Sequence, residues 1–172
     1  MFTTRVTRAR WCAALPFALL GAVSLAAQKP PAAQPDACAL VPRATLRRLS
    51  LPAHLTAQPD SGGTICQWGS VQDGRALVIK TYAALAPDRI ARMRIAVAKT
   101  ADTNLEPSVS DAAWSMGAPY GIVLVAGKDG KGVQLKYYVR PHSKGADRVD
   151  VRATESDRQA LVAVAKVALA RL

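Results

Sequence analysis

Two histidines and a few serines are the residues of this sequence best suited to carry out chemistry. Nucleophilic catalysis needs a hydroxyl or thiol whose proton a neighbouring base can accept. The sequence has no Gly-x-Ser-x-Gly motif, and Ser61 precedes Gly62-Gly63, which is typical of a turn. His142 lies in a polar segment typical of a loop, and His54 lies near the end of a predicted helix. We therefore predict that neither histidine is catalytic.

The carboxylates and glycines do not form a recognisable site either. Paired-carboxylate catalysis needs two acids across a cleft, but Glu106 and Glu155 are the only glutamates, and most aspartates adjoin glycines or predicted helix starts. The acids are therefore predicted to be turn and cap residues. Residues 127–132 contain Gly-x-x-Gly-x-Gly but join two predicted strands, whereas a phosphate-binding loop opens a helix. The sequence predicts no cofactor.

The first 27 residues have the three zones of a secretory signal peptide, which is predicted to comprise residues 1–26. Three arginines and no acidic residue precede an apolar run at residues 11–27, which ends in small residues. We expect cleavage after Ala26, with cleavage after Ala27 as the alternative. A membrane anchor fits less well, because a spanning helix needs about 20 apolar residues and this run contains Pro16.

The same segment argues against other export routes and sets the domain boundaries. Cys12 lies at the start of the apolar run, whereas a lipoprotein cysteine lies at its end, and no adjacent arginine pair marks a twin-arginine signal. Residues 27–35 are rich in proline and predict an extended spacer. Residues 36–172 predict a single domain with no later membrane span. We expect a secreted or periplasmic protein.

Two cysteines, Cys38 and Cys66, remain once residues 1–26 are removed. In an exported domain their simplest arrangement is one disulfide. A metal pair and a reactive thiol are the alternatives. Zinc needs about four ligands, and His54 and His142 have no fixed spacing to either cysteine. We therefore predict the disulfide and no metal site.

The chain is strongly basic. Removal of the three leader arginines from 23 basic residues leaves 20, against 12 acidic ones, for a net charge of +8. Solubility and a compositional bias towards Arg and Ala would explain this charge, and so would attraction to an anionic envelope component such as lipid headgroups or acidic polysaccharide. Nucleic acid is disfavoured, because export removes the usual target and no aromatic-basic motif is present. The candidate contact surface consists of Arg43, Arg47, Arg48, Arg89 and Arg92.

Hydrophobic periodicity predicts alternating groups of helices and strands. Helices are predicted at residues 36–51, 87–100 and 156–172, the last opened by a capping box of Ser156 and Gln159. Strands are predicted at residues 64–70, 75–82, 112–116, 122–126, 133–139 and 148–153. Asp73-Gly74 predicts a hairpin between the first two strands, and residues 58–64 and 102–107 predict loops.

Tight turns between these strands imply antiparallel pairing, with helices on one face of the sheet. The predicted fold is therefore α+β in two layers, with a mostly antiparallel sheet of five or six strands and three helices packed on one face. Trp68 and Trp114 are interpreted as core aromatics rather than as a platform for a ligand.

Three short motifs give the chain a family resemblance. Cys38 begins Cys-Ala-Leu-Val-Pro, Cys66 begins Cys-Gln-Trp, and Val109 begins Val-Ser-Asp-Ala-Ala-Trp, ahead of an alanine-rich C-terminal helix. Residues 36–172 thereby resemble a family of small bacterial envelope proteins, many of them lipoproteins, with a Cys-x-Leu…Cys-x-aromatic disulfide pair and no assigned function. The resemblance implies the disulfide and the fold, and it implies no catalytic residue. Because the chain lacks the lipidated cysteine and has Val-Pro in place of a helix cap and acidic residue, lipid anchoring is not carried over.

The sequence therefore favours an exported, non-enzymatic domain that binds a ligand or an anionic envelope component. An envelope hydrolase with an unrecognised site is one alternative, which would need Ser, His and Asp to converge in a pocket. A sensor or carrier for a small apolar ligand is the other, which would need a closed apolar cavity between helix and sheet.

Overall fold

Apolar residues at every second position form one face of an antiparallel sheet in the computed structural model. The structure describes residues 35–51, 55–70, 74–118, 120–139 and 153–172. All of these residues belong to one compact unit, Ala32–Leu172. The sheet has seven strands in the order β1-β2-β3-β7-β6-β5-β4, and every neighbouring pair is antiparallel. The strands are β1 Ala57–Pro59, β2 Ile65–Trp68, β3 Ala76–Tyr82, β4 Thr103–Leu105, β5 Trp114–Ala118, β6 Gly121–Lys128 and β7 Lys131–Tyr138.

Three α-helices accompany the sheet within the described ranges, α1 Arg43–Leu46, α2 Pro87–Val97 and α3 Glu155–Leu169. A 3₁₀ turn, Arg47–Leu49, continues α1. The α+β class and the antiparallel pairing are therefore confirmed. Some predicted features lie outside the described residues, namely the signal peptide at residues 1–26, its cleavage site at Ala26 or Ala27, the spacer apart from Pro35, His54, His142, Asp73 of the predicted hairpin, and the strand at 148–153 apart from Ala153.

Strand β6 is buried on both faces of the sheet. Leu124 and Ala126 point to one face and belong to the cluster that includes the apolar side of α3. Val123 and Val125 alternate to the other face, where they pack in a second cluster with Ile90 of α2. The helices α2 and α3 therefore lie on opposite faces of the sheet.

The prediction that all three helices pack on one face is wrong for α2, and the sheet has seven strands rather than five or six. The amphipathic pattern of α2 identified its apolar side but not the face of the sheet that receives it. Strands β1 and β4 have three residues each and form the two edges of the sheet within the described residues. Their polar residues and proline predicted loops, and it is pairing with β2 and β5 that makes them strands.

The first helix is much shorter than the prediction of residues 36–51. Pro42 is extended, with φ −62° and ψ 146°, and α1 begins only after it. Proline lacks an N–H donor and disfavours helical backbone in the residue before it. The N–H of Cys38 instead donates to the Asp36 carboxylate at 2.9 Å. The 3₁₀ turn then ends at Ser50, whose φ of 52° is left-handed.

Helix α3 is capped two residues earlier than the sequence predicted. Thr154, not Ser156, is the N-cap residue. Its side-chain oxygen accepts a hydrogen bond from the N–H of Asp157 at 3.2 Å, and the Asp157 carboxylate accepts one from the N–H of Thr154 at 2.9 Å. This reciprocal pair satisfies two donors at the helix start. The helix then buries Leu161 and Val164 against the sheet.

A buried tyrosine attaches the 3₁₀ turn to the sheet. The hydroxyl of Tyr137 in β7 donates to the carbonyl oxygen of Leu49 at 2.5 Å and accepts from the Arg75 guanidinium at 3.1 Å. Burial raises the pKa of Tyr137, an effect that the nearby Arg75 charge partly offsets. The neutral phenol is therefore the form that the folded protein favours, and this contribution to stability is lost as the pH rises above about 10.

A disulfide between Cys38 and Cys66 ties the N-terminal segment to β2, as the sequence predicted. The two Cα atoms lie 5.1 Å apart, within the range that an unstrained backbone provides. Cys66 is fully buried. The bond closes a loop with a sequence separation of 28, which limits the freedom of the unfolded chain.

Replacing both cysteines by serine should lower the free energy of unfolding by about 3–4 kcal/mol, because the loop is then open in the unfolded state. Urea unfolding of the oxidised protein, the reduced protein and the double variant measures this change. The reduced protein and the double variant should lose similar amounts. A loss below about 1 kcal/mol in both would contradict a structural role for the bond.

Candidate functional site

The five arginines of the predicted contact surface are all exposed, but they fall into two groups. Arg43, Arg47 and Arg48 lie on α1 and the 3₁₀ turn, which pack with α3 on its side of the sheet. Arg89 and Arg92 lie on α2, which packs on the opposite face. The structure therefore does not bring the five side chains together into one patch.

Helix α2 displays its arginines because its apolar side is held against the sheet. Pro87 occupies the first turn, where its fixed φ suits a helix start. Ile90 is 1% exposed, and its carbonyl oxygen accepts a hydrogen bond from the indole N–H of Trp114 at 3.1 Å. Arg92 forms an exposed ion pair with Asp88 at 3.9 Å, an arrangement that contributes little to stability.

The charged residues of the seven strands are all lysines, Lys80, Lys128, Lys131 and Lys136. No aspartate or glutamate lies in any strand of the described sheet. Lys131 donates to the backbone carbonyl oxygen of Leu172 at 2.9 Å at the end of the β6–β7 hairpin. Lys80 and Lys136 lie in the body of the sheet, so they are the strand charges that need an explanation.

Both of these lysines point away from α3. Leu77 and Ile79 in β3 and Leu135 in β7 pack in the α3 cluster, and alternation directs their neighbours to the other face. We call these neighbours on β3 and β7 the lysine face, which consists of Val78, Lys80, Tyr82, Gln134, Lys136 and Tyr138. All six side chains are half-buried or exposed.

The register places the two lysines close together. Lys80 is directly opposite Gln134, and Lys136 is two residues further along β7. Diagonal neighbours of this kind have Cα atoms about 7–8 Å apart, at which like charges repel each other. The ammonium group of Lys80 lies 5.2 Å from the centre of the Tyr82 ring, a cation–π contact that leaves the charge uncompensated. Among the described residues, neither lysine forms an ion pair.

A cavity of about 200 Å³ adjoins the lysine face where the chain turns from β5 into β6. Tyr120, Tyr138 and Lys136 contribute to its lining. Gly121 is opposite Tyr138 in the register, and a Cβ atom at this glycine would collide with the backbone of Tyr137. The arrangement places an ammonium group and two phenols beside one small open space.

A second polar cluster lies on the α3 side and was not predicted. Glu106 is only 5% exposed, and its carboxylate accepts hydrogen bonds from the hydroxyl of Ser115 and the guanidinium of Arg158, both at 2.5 Å. Arg158 also donates to Glu155. The cluster ties the β4–β5 connection to the first turn of α3. The sequence interpretation of Glu106 as a turn or cap residue misses this buried ion pair.

The hydrogen bonds that Arg158 donates to Glu155 lower the pKa of Glu155, and those that it donates to both glutamates raise the pKa of Arg158. A lowered carboxyl pKa stabilises the folded protein above about pH 4, and the contribution is lost as the pH falls through the folded-state pKa. The charges of this cluster are thus satisfied within the fold.

Ser115 and Glu106 could in principle be a nucleophile and its base, so their surroundings decide the matter. Ser115 is fully buried, and Glu106 is held by the Arg158 charge. A catalytic serine needs access to substrate and a base that can accept its proton. The two residues therefore form a structural contact, even though a cavity of about 190 Å³ adjoins Ser115 and Arg158.

The glycine-rich turn adjoins a larger cavity of about 420 Å³, next to the start of α2. Asp111 and Asp129 line it together with Lys128, so it does not present the uniformly positive surroundings that a phosphate group needs. The side-chain oxygen of Ser110 is buried there without a hydrogen-bond partner among the described residues. As predicted, residues 127–132 lie where two strands join: they comprise the end of β6, the turn at Asp129 and Gly130, and the start of β7.

Comparisons with protein families, with characterised proteins and with solved structures find no match for this chain. Within the described ranges, no group of three or more His, Cys, Asp or Glu side chains is placed to hold a metal ion. None of the described helices has both the length and the apolar character needed to cross a membrane. The functional argument therefore depends on the chain's own surfaces.

The sequence contained part of the signal for the lysine face. Lys80 and Lys136 each interrupt an apolar strand. Because side chains alternate along a strand, each lysine points to the other face of the sheet from its apolar neighbour, Ile79 or Leu135. That the two lysines are close together follows only from the pairing of β3 with β7, in which Lys80 is opposite Gln134, 54 positions along the chain (134 − 80). By contrast, Trp68 and Trp114 are each 2% exposed, so their interpretation as core aromatics is confirmed.

Replacing Arg158 by methionine should destabilise the protein by about 3 kcal/mol, because the buried Glu106 carboxylate loses its charged partner. The double variant Glu106→Gln with Arg158→Met should recover part of that loss, since the buried charge is then absent. Urea unfolding at neutral pH measures both. A double variant no more stable than Arg158→Met alone would show that the ion pair is not the interaction lost.

Proposed function

We propose that this protein is exported and binds an anionic polymer of the cell envelope, without changing it chemically, through the side of the sheet that carries α2 and the lysine face. The observation that carries this proposal is the pair Lys80 and Lys136. They lie close together in the register, with Lys80 exposed and Lys136 half-buried, and no carboxylate lies in the described strands to compensate them. A polyanion would supply the missing counter-charges.

Export is supported by two features of the chain. Residues 1–26 have the composition of a signal peptide. The cysteines that would remain, Cys38 and Cys66, form a disulfide, and such bonds persist mainly in oxidising compartments. An envelope polymer would be accessible to a protein in that location.

The charges on the sheet itself favour the α2 side, because Lys80 and Lys136 both point there, whereas three exposed arginines of the α3 side lie on α1 and the 3₁₀ turn. On the α3 side, Arg158 is paired with Glu106 and Glu155, and Arg171 donates to the carbonyl oxygen of Ala39 at 3.3 Å. On the α2 side, Arg89 on the helix lies on the same face of the sheet as the two lysines. Clustered charge of one sign attracts an oppositely charged partner and increases its association rate.

A polymer is a better partner than a lipid surface because the cations lie on a sheet rather than on an extended amphipathic helix. Peripheral membrane binding combines basic residues with a broad apolar face that enters the bilayer. The outer side of α2 offers Ile95, which is 59% exposed, between arginines and a lysine. A single exposed isoleucine does not form such a face.

The test compares two variants that each lose three positive charges. Neutralising Lys80, Lys136 and Arg89 with glutamine should weaken retention on an immobilised polyanion about tenfold, because exposed ion pairs contribute roughly 0.5 kcal/mol each. The matched control neutralises Arg43, Arg47 and Arg48 and should bind nearly as well as the unmodified protein. The measurement is the dissociation constant at low salt and its increase with NaCl.

Three results would contradict the proposal. Equal losses in the two triple variants would mean that net charge, not the α2 side, governs retention. Retention that neither variant changes would rule out both surfaces. Binding to vesicles of anionic phospholipid, abolished by Ile95→Ser and without binding to the polymer, would identify a lipid surface as the partner.

A further inference from the structure

The cavity beside Tyr120, Tyr138 and Lys136 indicates the kind of repeating unit that the polymer contains, in addition to its charge. Small residues create the space. Ala118, Gly121, Tyr138 and Ala76 are cross-strand neighbours in one row across β5, β6, β7 and β3. Tyr138 is therefore flanked by two residues with almost no side chain, and the row forms a depression at the end of the lysine face.

This depression cannot be filled by enlarging Gly121 without moving the backbone of β7. A Cβ atom there would meet the carbonyl group of Tyr137 and the Cα atom of Tyr138. The backbones of β6 and β7 thus lie too close for a side chain, and the open space follows from the pairing itself. The resulting cavity of about 200 Å³ is smaller than the roughly 300–1,000 Å³ of pockets that hold drug-sized ligands.

We infer that this depression is a subsite for one acidic sugar ring of the polymer, with the sugar carboxylate paired to the Lys136 ammonium and the C–H side of the ring against the tyrosines. The inference rests on the proposed function, since it specifies the repeating unit of the polyanion. A pyranose ring has one side dominated by C–H groups and an edge of hydroxyls. Phenols match both features, because they combine an apolar ring with a polar tip.

The neighbouring residues extend the match along the lysine face. Gln134 adds an amide that can donate and accept hydrogen bonds, and Lys80 lies opposite it. Starting at Tyr138, the residues of β7 that point to this face are Tyr138, Lys136 and Gln134, at alternate positions. A chain of acidic sugars along β7 would therefore meet a stacking group, a cation and a hydrogen-bonding group in turn.

Two soluble polymers distinguish the contribution of the sugar ring to binding from the contribution of charge. Polygalacturonate and poly-L-glutamate both carry one carboxylate per unit, but only the first has sugar rings. At matched chain length and low salt, the unmodified protein should bind polygalacturonate about tenfold more tightly, which is the size of a good aromatic contact. Calorimetric titration measures both dissociation constants.

The variants test whether the tyrosines of the depression cause this preference. Tyr138→Leu retains an apolar side chain but removes the flat ring, and Tyr120→Ala changes an exposed residue at a turn. Each should reduce the preference for polygalacturonate several-fold and leave the affinity for poly-L-glutamate unchanged. Tyr82→Leu is the control for the preference alone: Tyr82 contacts Lys80 on the same face but does not line the cavity, so any change should affect both polymers equally. Lys136→Gln should weaken binding to both polymers.

The outcomes distinguish the inference from the proposed function. If the protein binds both polymers equally and the tyrosine variants change nothing, the sugar subsite is wrong and the polyanion surface stands. If Tyr82→Leu reduces the preference as much as Tyr138→Leu, the depression is not the subsite. If neither polymer binds, the proposed function itself fails.

Discussion

The burial of β6 on both of its faces is the constraint on which the rest of the structure depends. Its alternate residues need apolar cover on two sides, so one helix is not enough. The 15-residue helix α3 covers one face with its apolar side, and the 11-residue helix α2 covers part of the other. Because α2 is short and packs on β6, the six side chains of the lysine face on β3 and β7 remain half-buried or exposed.

The position of the lysines follows from this unequal cover. Lys80 and Lys136 would be costly on the α3 face, where their neighbours Ile79 and Leu135 are fully buried. On the other face they retain access to water. On the α3 side the buried charge of Glu106 pairs with Arg158, and three exposed arginines lie outside the sheet, on α1 and the 3₁₀ turn. The buried charge of the α3 side is thus paired within the fold, whereas the two lysines of the other face form no ion pair among the described residues.

Local sequence patterns predicted the elements well where the residues themselves determine the structure. The strands now labelled β2, β3, β6 and β7, the helix α2 and the disulfide all follow from alternation, helical spacing and cysteine number. Thr154 illustrates the limit of such patterns, because Ser156 offers an equally good capping sequence two residues later. The shortened first helix has a local cause in Pro42, which the apolar spacing of the leucines concealed.

What the sequence could not supply was the information carried by long-range pairing. The edge strands β1 and β4 are strands only because they pair with β2 and β5, and the Glu106–Arg158 ion pair joins residues 52 positions apart. The candidate site has the same character. The basic residues were recognisable individually, but a surface defined by the arginines alone combined residues from opposite sides of the sheet. The β3–β7 register, rather than composition, identifies Lys80 and Lys136 as neighbours.

The central claim is that the α2 side of the sheet, and not the basic first helix, is the surface that contacts a polyanion. Amide chemical-shift mapping by NMR during titration with polygalacturonate tests this claim most directly. The account predicts that the largest shifts occur at Lys80, Gln134, Lys136 and Tyr138, with smaller ones along α2. Shifts concentrated on α1 and the 3₁₀ turn, or spread evenly over all exposed basic residues, would contradict it.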